Sequence, residues 1–142
     1  MSAKLTVAQF MTRSPYTIGV DQSLSLAHRM MRANQLRHLP VLAEGQLVGL
    51  VSERDLALIE ASRRLDADKA TVDKAMMVDP YCVSPDASLV EVARQMATQR
   101  HGSAVVVENG NVVGIFTTVD ALLALAHVLD SGVRQRARQA AL

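Results

Sequence analysis

Two four-residue segments carry the side chains best suited to chemistry: Ser52-Glu53-Arg54-Asp55 and Thr117-Thr118-Val119-Asp120. Each follows a short apolar run containing glycine, Gly49-Leu50-Val51 or Gly114-Ile115-Phe116, and each leads into a helical pattern. A strand that ends in Gly-x-x-Ser/Thr and enters a helix presents N–H groups at the positive end of the helix dipole, which suits a phosphate or another anion. The hydroxyl of Ser52 or Thr117 can donate to a phosphate oxygen. Three residues later, the carboxylate of Asp55 or Asp120 lies in the first helical turn and can accept from two ribose hydroxyls. Arg54 adds a charge-assisted contact that can be bidentate. The same spacing also satisfies a capping box, in which hydroxyl and carboxylate simply close the helix start. The residues alone leave both readings open.

Other chemistries find little support. The chain has no Gly-x-Ser-x-Gly, no His-Glu-x-x-His, no Cys-x-x-Cys and no phosphate loop with Gly-Lys-Ser/Thr. His28 falls on an apolar helical stripe and His127 within an apolar helix, so both read as core or partly buried residues. The single cysteine, Cys82, offers neither an internal disulfide nor a thiolate set for a metal. An enzyme is therefore not expected, and no cofactor is required.

Composition sets wider bounds. Of 142 residues, 49% are apolar and only four are aromatic, Phe10, Tyr16, Tyr81 and Phe116, so the interior must be aliphatic. A net charge of +1 favours neither a nucleic-acid surface nor an acidic partner. The opening MSAKLTVAQF lacks the apolar stretch of a signal peptide, and no run approaches the roughly 18 residues that span a bilayer. A cytoplasmic protein without membrane contact is expected.

The elements that must position these side chains occur twice. At an offset of 65 positions, Met11 falls on Met76, Pro15 on Pro80, Ser23-Leu24 on Ser88-Leu89, Met31 on Met96, Val41 on Val106, Gly45 on Gly110, Val48-Gly49 on Val113-Gly114 and Asp55 on Asp120. Each copy opens with an extended piece, Tyr16-Thr17-Ile18 or Tyr81-Cys82-Val83. A capped helix follows, with a buried stripe at i, i+3, i+4 and i+7: Leu24, Ala27, His28 and Met31, or Leu89, Val92, Ala93 and Met96. Two apolar runs then flank a glycine turn, His38–Leu42 and Leu47–Val51, or Ser103–Val107 and Val112–Phe116, which reads as a hairpin. Their unbroken apolar character points to strands covered on both faces. A second helix closes each copy, Leu56–Arg64 or Ala121–Leu129. The expected fold is α/β (α+β), two β-α-β-β-α repeats packed through their sheets about a pseudo-two-fold axis. The repeats span 7–65 and 72–130, joined by a linker at 66–71. The basic tail at 131–142 either frays or extends the last helix.

The run Arg37-His38-Leu39-Pro40-Val41, followed by Gly45, Leu47-Val48-Gly49-Leu50-Val51-Ser52 and Asp55, resembles the cystathionine-β-synthase (CBS) domain. Gly102-Ser103-Ala104-Val105-Val106 with Val113-Gly114-Ile115-Phe116-Thr117 and Asp120 is similar to a variant of it, and Met11 and Met76 match its opening phrase. The resemblance covers about residues 7–130. It implies a tandem pair, a Bateman module, with two clefts that take AMP, ADP, ATP or S-adenosylmethionine. By that resemblance Asp55 and Asp120 hold ribose hydroxyls, and Ser52 and Thr117 approach phosphate. Arg54, Arg37 and His38 add positive character. Thr17, Ile18, Cys82 and Val83 lie near the adenine, while Pro40 and Val105 line the clefts. The second copy carries Val119 in place of Arg54 and Gly102-Ser103 in place of Arg37-His38, so its cleft is expected to bind a phosphorylated nucleotide less tightly. The resemblance also implies a homodimer, and signalling is expected to require a separate effector protein. Ala121, Leu122, Leu123, Leu125, Ala126 and Leu129 exceed one apolar stripe, so they either face a partner or fill the core. The alternative function is an interaction module whose degenerate clefts bind no nucleotide.

Overall fold

Serines 23 and 88 begin the first helix of each repeat, their side chains accepting from the N–H groups of Leu26 and Glu91. The computed structural model describes residues 4–140; the end of the expected tail, Ala141 and Leu142, lies outside the described residues. In the first repeat, strand β2 (Ile18–Gly19) leads to helix α1 (Leu24–Asn34), the hairpin β3 (His38–Ala43) and β4 (Gln46–Ser52), and helix α2 (Glu53–Arg63). The second runs β6 (Cys82–Val83), α3 (Leu89–Gln99), β7 (Ser103–Glu108), β8 (Asn111–Thr117) and α4 (Thr118–Ala140). The β-α-β-β-α order expected from the pattern is present twice. Both hairpins close through two residues with positive φ, Glu44-Gly45 and Asn109-Gly110, which matches the twist of the flanking strands. The tail extends the last helix: α4 continues unbroken through Ala140.

Two further strands were not visible in the pattern. Strand β1 (Thr12–Arg13) pairs antiparallel with β8, and β5 (Met77–Val78) pairs antiparallel with β4. The sheets are therefore β2-β3-β4-β5 and β6-β7-β8-β1, and each takes its edge strand from the segment that opens the other repeat. The exchange extends beyond the strands. Val72 is fully buried in the core of the first repeat, and Val7 in that of the second. The carbonyl of Ala70 accepts from the Leu24 N–H at 2.9 Å, and that of Leu5 from the Leu89 N–H at 3.0 Å, so each exchanged segment also satisfies a donor at a helix start. Gly49 and Gly114 allow the close approach. A Cβ on Gly49 would lie 2.6 Å from Met76 Sδ and 2.8 Å from the Met77 carbonyl, and one on Gly114 would collide with Met11.

Strand alternation divides the side chains of each hairpin between two environments. Leu39, Val41 and Val51 face α1 and α2 in the first core, and Ala104, Val106 and Phe116 face α3 and α4 in the second. The opposite faces meet in an apolar seam where Leu50, Val105 and Ile115 are buried with Leu47, Val107 and Val112 around them. Leu50 and Ile115 are equivalent positions of the repeat, as expected for contact about a pseudo-two-fold axis. Helix α4 contributes little to either core. Ala124 is buried, but Leu122 and Leu123 are each 65% exposed, and Leu125 and Leu129 are exposed as well. These leucines do not fill the interior of the chain.

Candidate functional site

At the junction of β4 and α2, the capping reading and the binding reading prove to share the same atoms. Ser52 is the N-cap. Its hydroxyl accepts from the Asp55 N–H at 3.0 Å, and its own N–H donates to Asp55 Oδ2 at 3.0 Å. The Glu53 N–H is taken by the Arg37 carbonyl at 2.9 Å. The helix start is thus less open to an anion than the sequence suggests, since two of its first three N–H groups already have acceptors. What remains is carried by side chains. Among the described residues, nothing donates to Asp55 Oδ1 and nothing accepts from the Ser52 hydroxyl. Arg54 is exposed, and Arg37 is held only by a 3.9 Å contact to Glu53 between two exposed groups, a pairing of little energetic weight.

His38 stands opposite Ser52 across the hairpin and is half-buried. Its ring reaches the second repeat, where a Cβ on Gly102 would lie 2.9 Å from His38 Nε2. The absence of a side chain at Gly102 therefore makes room for His38 of the other copy. Burial, the dominant influence, holds the His38 pKa below its ordinary 6.5; the charge of Asp55 opposes this and that of Arg37 reinforces it. The sign of the consequence follows. Between the depressed value and 6.5 the unfolded chain binds more protons than the folded one, so stability rises with pH across that window. His38→Gln is expected to flatten the fall in stability on acidification below about pH 6.5, measured by urea unfolding at a series of pH values. An unchanged slope would show that His38 is not depressed.

The matching junction in the second repeat is more fully engaged. Asp120 is only 8% exposed. Its Oδ2 accepts from the Thr117 N–H at 2.9 Å and from the Thr117 hydroxyl at 3.1 Å. The hydroxyl of Thr12, brought in by the exchanged strand β1, donates to Oδ1 at 3.1 Å and approaches Oδ2 at 3.3 Å. Sequence reasoning did not find Thr12. Its equivalent at the same offset is Met77, so no repeated feature marks the position.

The remaining candidates are dispersed. Thr17 and Ile18 border a depression of about 500 Å³ with Asp21 and the Glu44-Gly45 turn. That depression lies at the turn end of the β3–β4 hairpin, whereas His38 and Ser52 lie at its other end, about 15 Å away at some 3.3 Å per residue. The Ile18 side chain belongs to the first core, which leaves its backbone rather than its side chain for a ligand. Cys82 is exposed, its Sγ 3.3 Å from the Pro80 carbonyl, and partial burial pushes its thiol pKa up. Val83 packs against the second core. Pro40 and Val105 are fully buried, Val105 within the seam, so neither presents an open wall. Ser103 is 2% exposed and its Oγ has no hydrogen-bond partner among the described residues. His28 is half-buried and contacts Glu60 Oε1 through Nε2 at 2.7 Å, joining α1 to α2. His127, expected in or near the core, is exposed on α4 and meets Phe10 edge-on with centroids 5.6 Å apart.

Two sheets that exchange edge strands, with an equivalent Ser/Thr-x-x-Asp junction in each, define a tandem repeat of one β-α-β-β-α unit. The CBS domain family model matches residues 7–61 and again 72–127, and the protein belongs to the CBS domain family. The solved structure of the Vibrio cholerae protein AcuB, described as an acetoin utilization protein, superposes with a TM-score of 0.84 at 31% identity, covering 93% of this chain and 98% of that one. The CBS domain pair of the protein MJ0100, solved with 5′-methylthioadenosine and S-adenosyl-L-methionine, superposes with a TM-score of 0.79 at 24% identity over 88% of this chain and 98% of its own. CBSX2, solved with AMP, gives a TM-score of 0.77 at 23% identity over 87% and 97%. At those identities the last two show the shared fold. No helix among the described residues is long and apolar enough to cross a membrane.

Proposed function

We propose that this chain is a non-catalytic regulatory module that binds an adenosine-containing ligand at the Asp55 junction. The observation that carries this reading is the uncommitted acceptor Asp55 Oδ1, grouped with the Ser52 hydroxyl, Arg54, Arg37 and His38. A carboxylate beside a hydroxyl and several cationic groups suits a ribose joined to phosphate. Ligands of two structural relatives, AMP and S-adenosylmethionine, support the class of ligand. Signalling runs to a separate cytoplasmic effector protein, and the exposed leucines of α4 are the contact surface of a homodimer.

A thermal-shift series with AMP, ADP, ATP, GTP, S-adenosylmethionine and NADH tests the reading. A ligand at 100 times its dissociation constant stabilises the folded state by about 2.7 kcal/mol, roughly 10 °C for a chain of this size. At least one adenosine compound is expected to produce such a shift while GTP does not. Failure of all six favours the second reading, a protein-interaction module, which the exposed apolar face of α4 independently supports.

A further inference from the structure

We infer that Thr12 occupies the second cleft from within, its hydroxyl standing where a ribose hydroxyl of a ligand would bind Asp120. The inference rests on the nucleotide reading above. A carboxylate offers about four acceptor positions. At Asp120 both oxygens are engaged, Oδ2 by the Thr117 N–H and hydroxyl and Oδ1 by the Thr12 hydroxyl, which also approaches Oδ2. At Asp55 only the Ser52 N–H is engaged among the described residues. The exchanged strand beside each junction supplies one of the differences between them. Strand β1 places Thr12 opposite Ile115, and β5 places Met77 opposite the equivalent Leu50. Methionine has no proton to donate and leaves the Asp55 oxygen open.

The neighbouring hydroxyls differ as well. The Thr117 hydroxyl donates to Asp120 Oδ2, whereas the Ser52 hydroxyl has no acceptor among the described residues. A ligand hydroxyl approaching Asp120 competes with Thr12 at Oδ1 and with Thr117 at Oδ2. Thr12 is exposed at the sheet edge while Asp120 is buried, so the hydroxyl lies on the solvent side of the carboxylate. The chain thus presents one open adenosine site and one closed by its own opening segment.

Calorimetric titration of AMP tests this in an Asp55→Ala background, where only the second cleft is read. Adding Thr12→Val is expected to tighten AMP at least tenfold, because a hydrogen bond to a charged group no longer has to be exchanged. Thr12→Ser in the same background is expected to match Asp55→Ala alone, and adding Asp120→Ala to the Thr12→Val variant is expected to abolish the gain. AMP binding by the single Thr12→Val variant at its Asp55 site reports that the fold is intact. If Thr12→Val leaves the Asp55→Ala protein unchanged while the unaltered protein binds AMP, the inference is overturned and the nucleotide reading stands. If neither the unaltered protein nor any variant binds AMP or the other adenosine ligands, both fall.

Discussion

Asp55→Ala is expected to weaken AMP binding by about ten- to a hundredfold, while Asp120→Ala leaves it within a factor of two. That range corresponds to losing a hydrogen bond to a charged acceptor, about 1.5–3 kcal/mol. The asymmetry follows from the two carboxylates themselves, since one has an unengaged oxygen and the other has both oxygens engaged by Thr12 and Thr117. Asp55→Ala also removes the acceptor of the Ser52 N–H, and loss of a capping contact costs about 1 kcal/mol of stability. Asp55→Asn separates the two effects, because an amide oxygen still caps the helix but carries no charge. Titration calorimetry of both variants at 25 °C, with urea unfolding alongside, is the measurement. Equal loss of affinity in Asp120→Ala would show that the second cleft is open and that both junctions bind.

Phe116→Ala is expected to lower stability by about 3–5 kcal/mol, a large part of the 5–15 kcal/mol typical of a folded chain. Phe116 is fully buried in the second core and is the largest such side chain. Nearby side chains are mostly Val, Ala and Met, which cannot close an aromatic-sized cavity without shifting backbone. At a few degrees per kcal/mol, the unfolding midpoint should fall by roughly 10–20 °C. The shape of the transition is equally informative. Because Val7 belongs to the second core and Val72 to the first, neither core can unfold without releasing a segment continuous with the other repeat. One transition is expected by both calorimetry and circular dichroism. A second transition near the original midpoint would show that the repeats unfold independently.

The repeated architecture was legible because its signals are local. Met, Pro and Gly at one offset, a stripe at helical spacing and a glycine turn between apolar runs each lie within a few residues of one another. The dual nature of Ser52-x-x-Asp55 was legible too, and the structure shows that capping leaves one Asp55 oxygen uncommitted. What escaped were contacts between distant positions. Thr12 and Asp120 are 108 residues apart, and strands as short and exposed as Thr12–Arg13 and Met77–Val78 carry no periodicity. The pair Gly102-Ser103 read as missing cationic groups; in three dimensions Gly102 is also the space into which His38 fits. Pro40 and Val105 illustrate the reverse case. Their unbroken apolar runs correctly pointed to strands covered on both faces, and that same coverage removes them from an open cleft wall.

The exchange of opening segments has a consequence for how such a chain could arise. A single repeat, cut out with its own opening segment attached, would carry a β-strand, a buried valine and a helix-capping carbonyl that its own core cannot use. It would find them accepted by a second identical repeat, which would return the same three gifts. The arrangement is in this sense that of a segment-swapped dimer whose two halves are continuous in one polypeptide. Because the halves belong to one polypeptide they can differ at equivalent positions, as Thr12 and Met77 do, which two identical subunits could not.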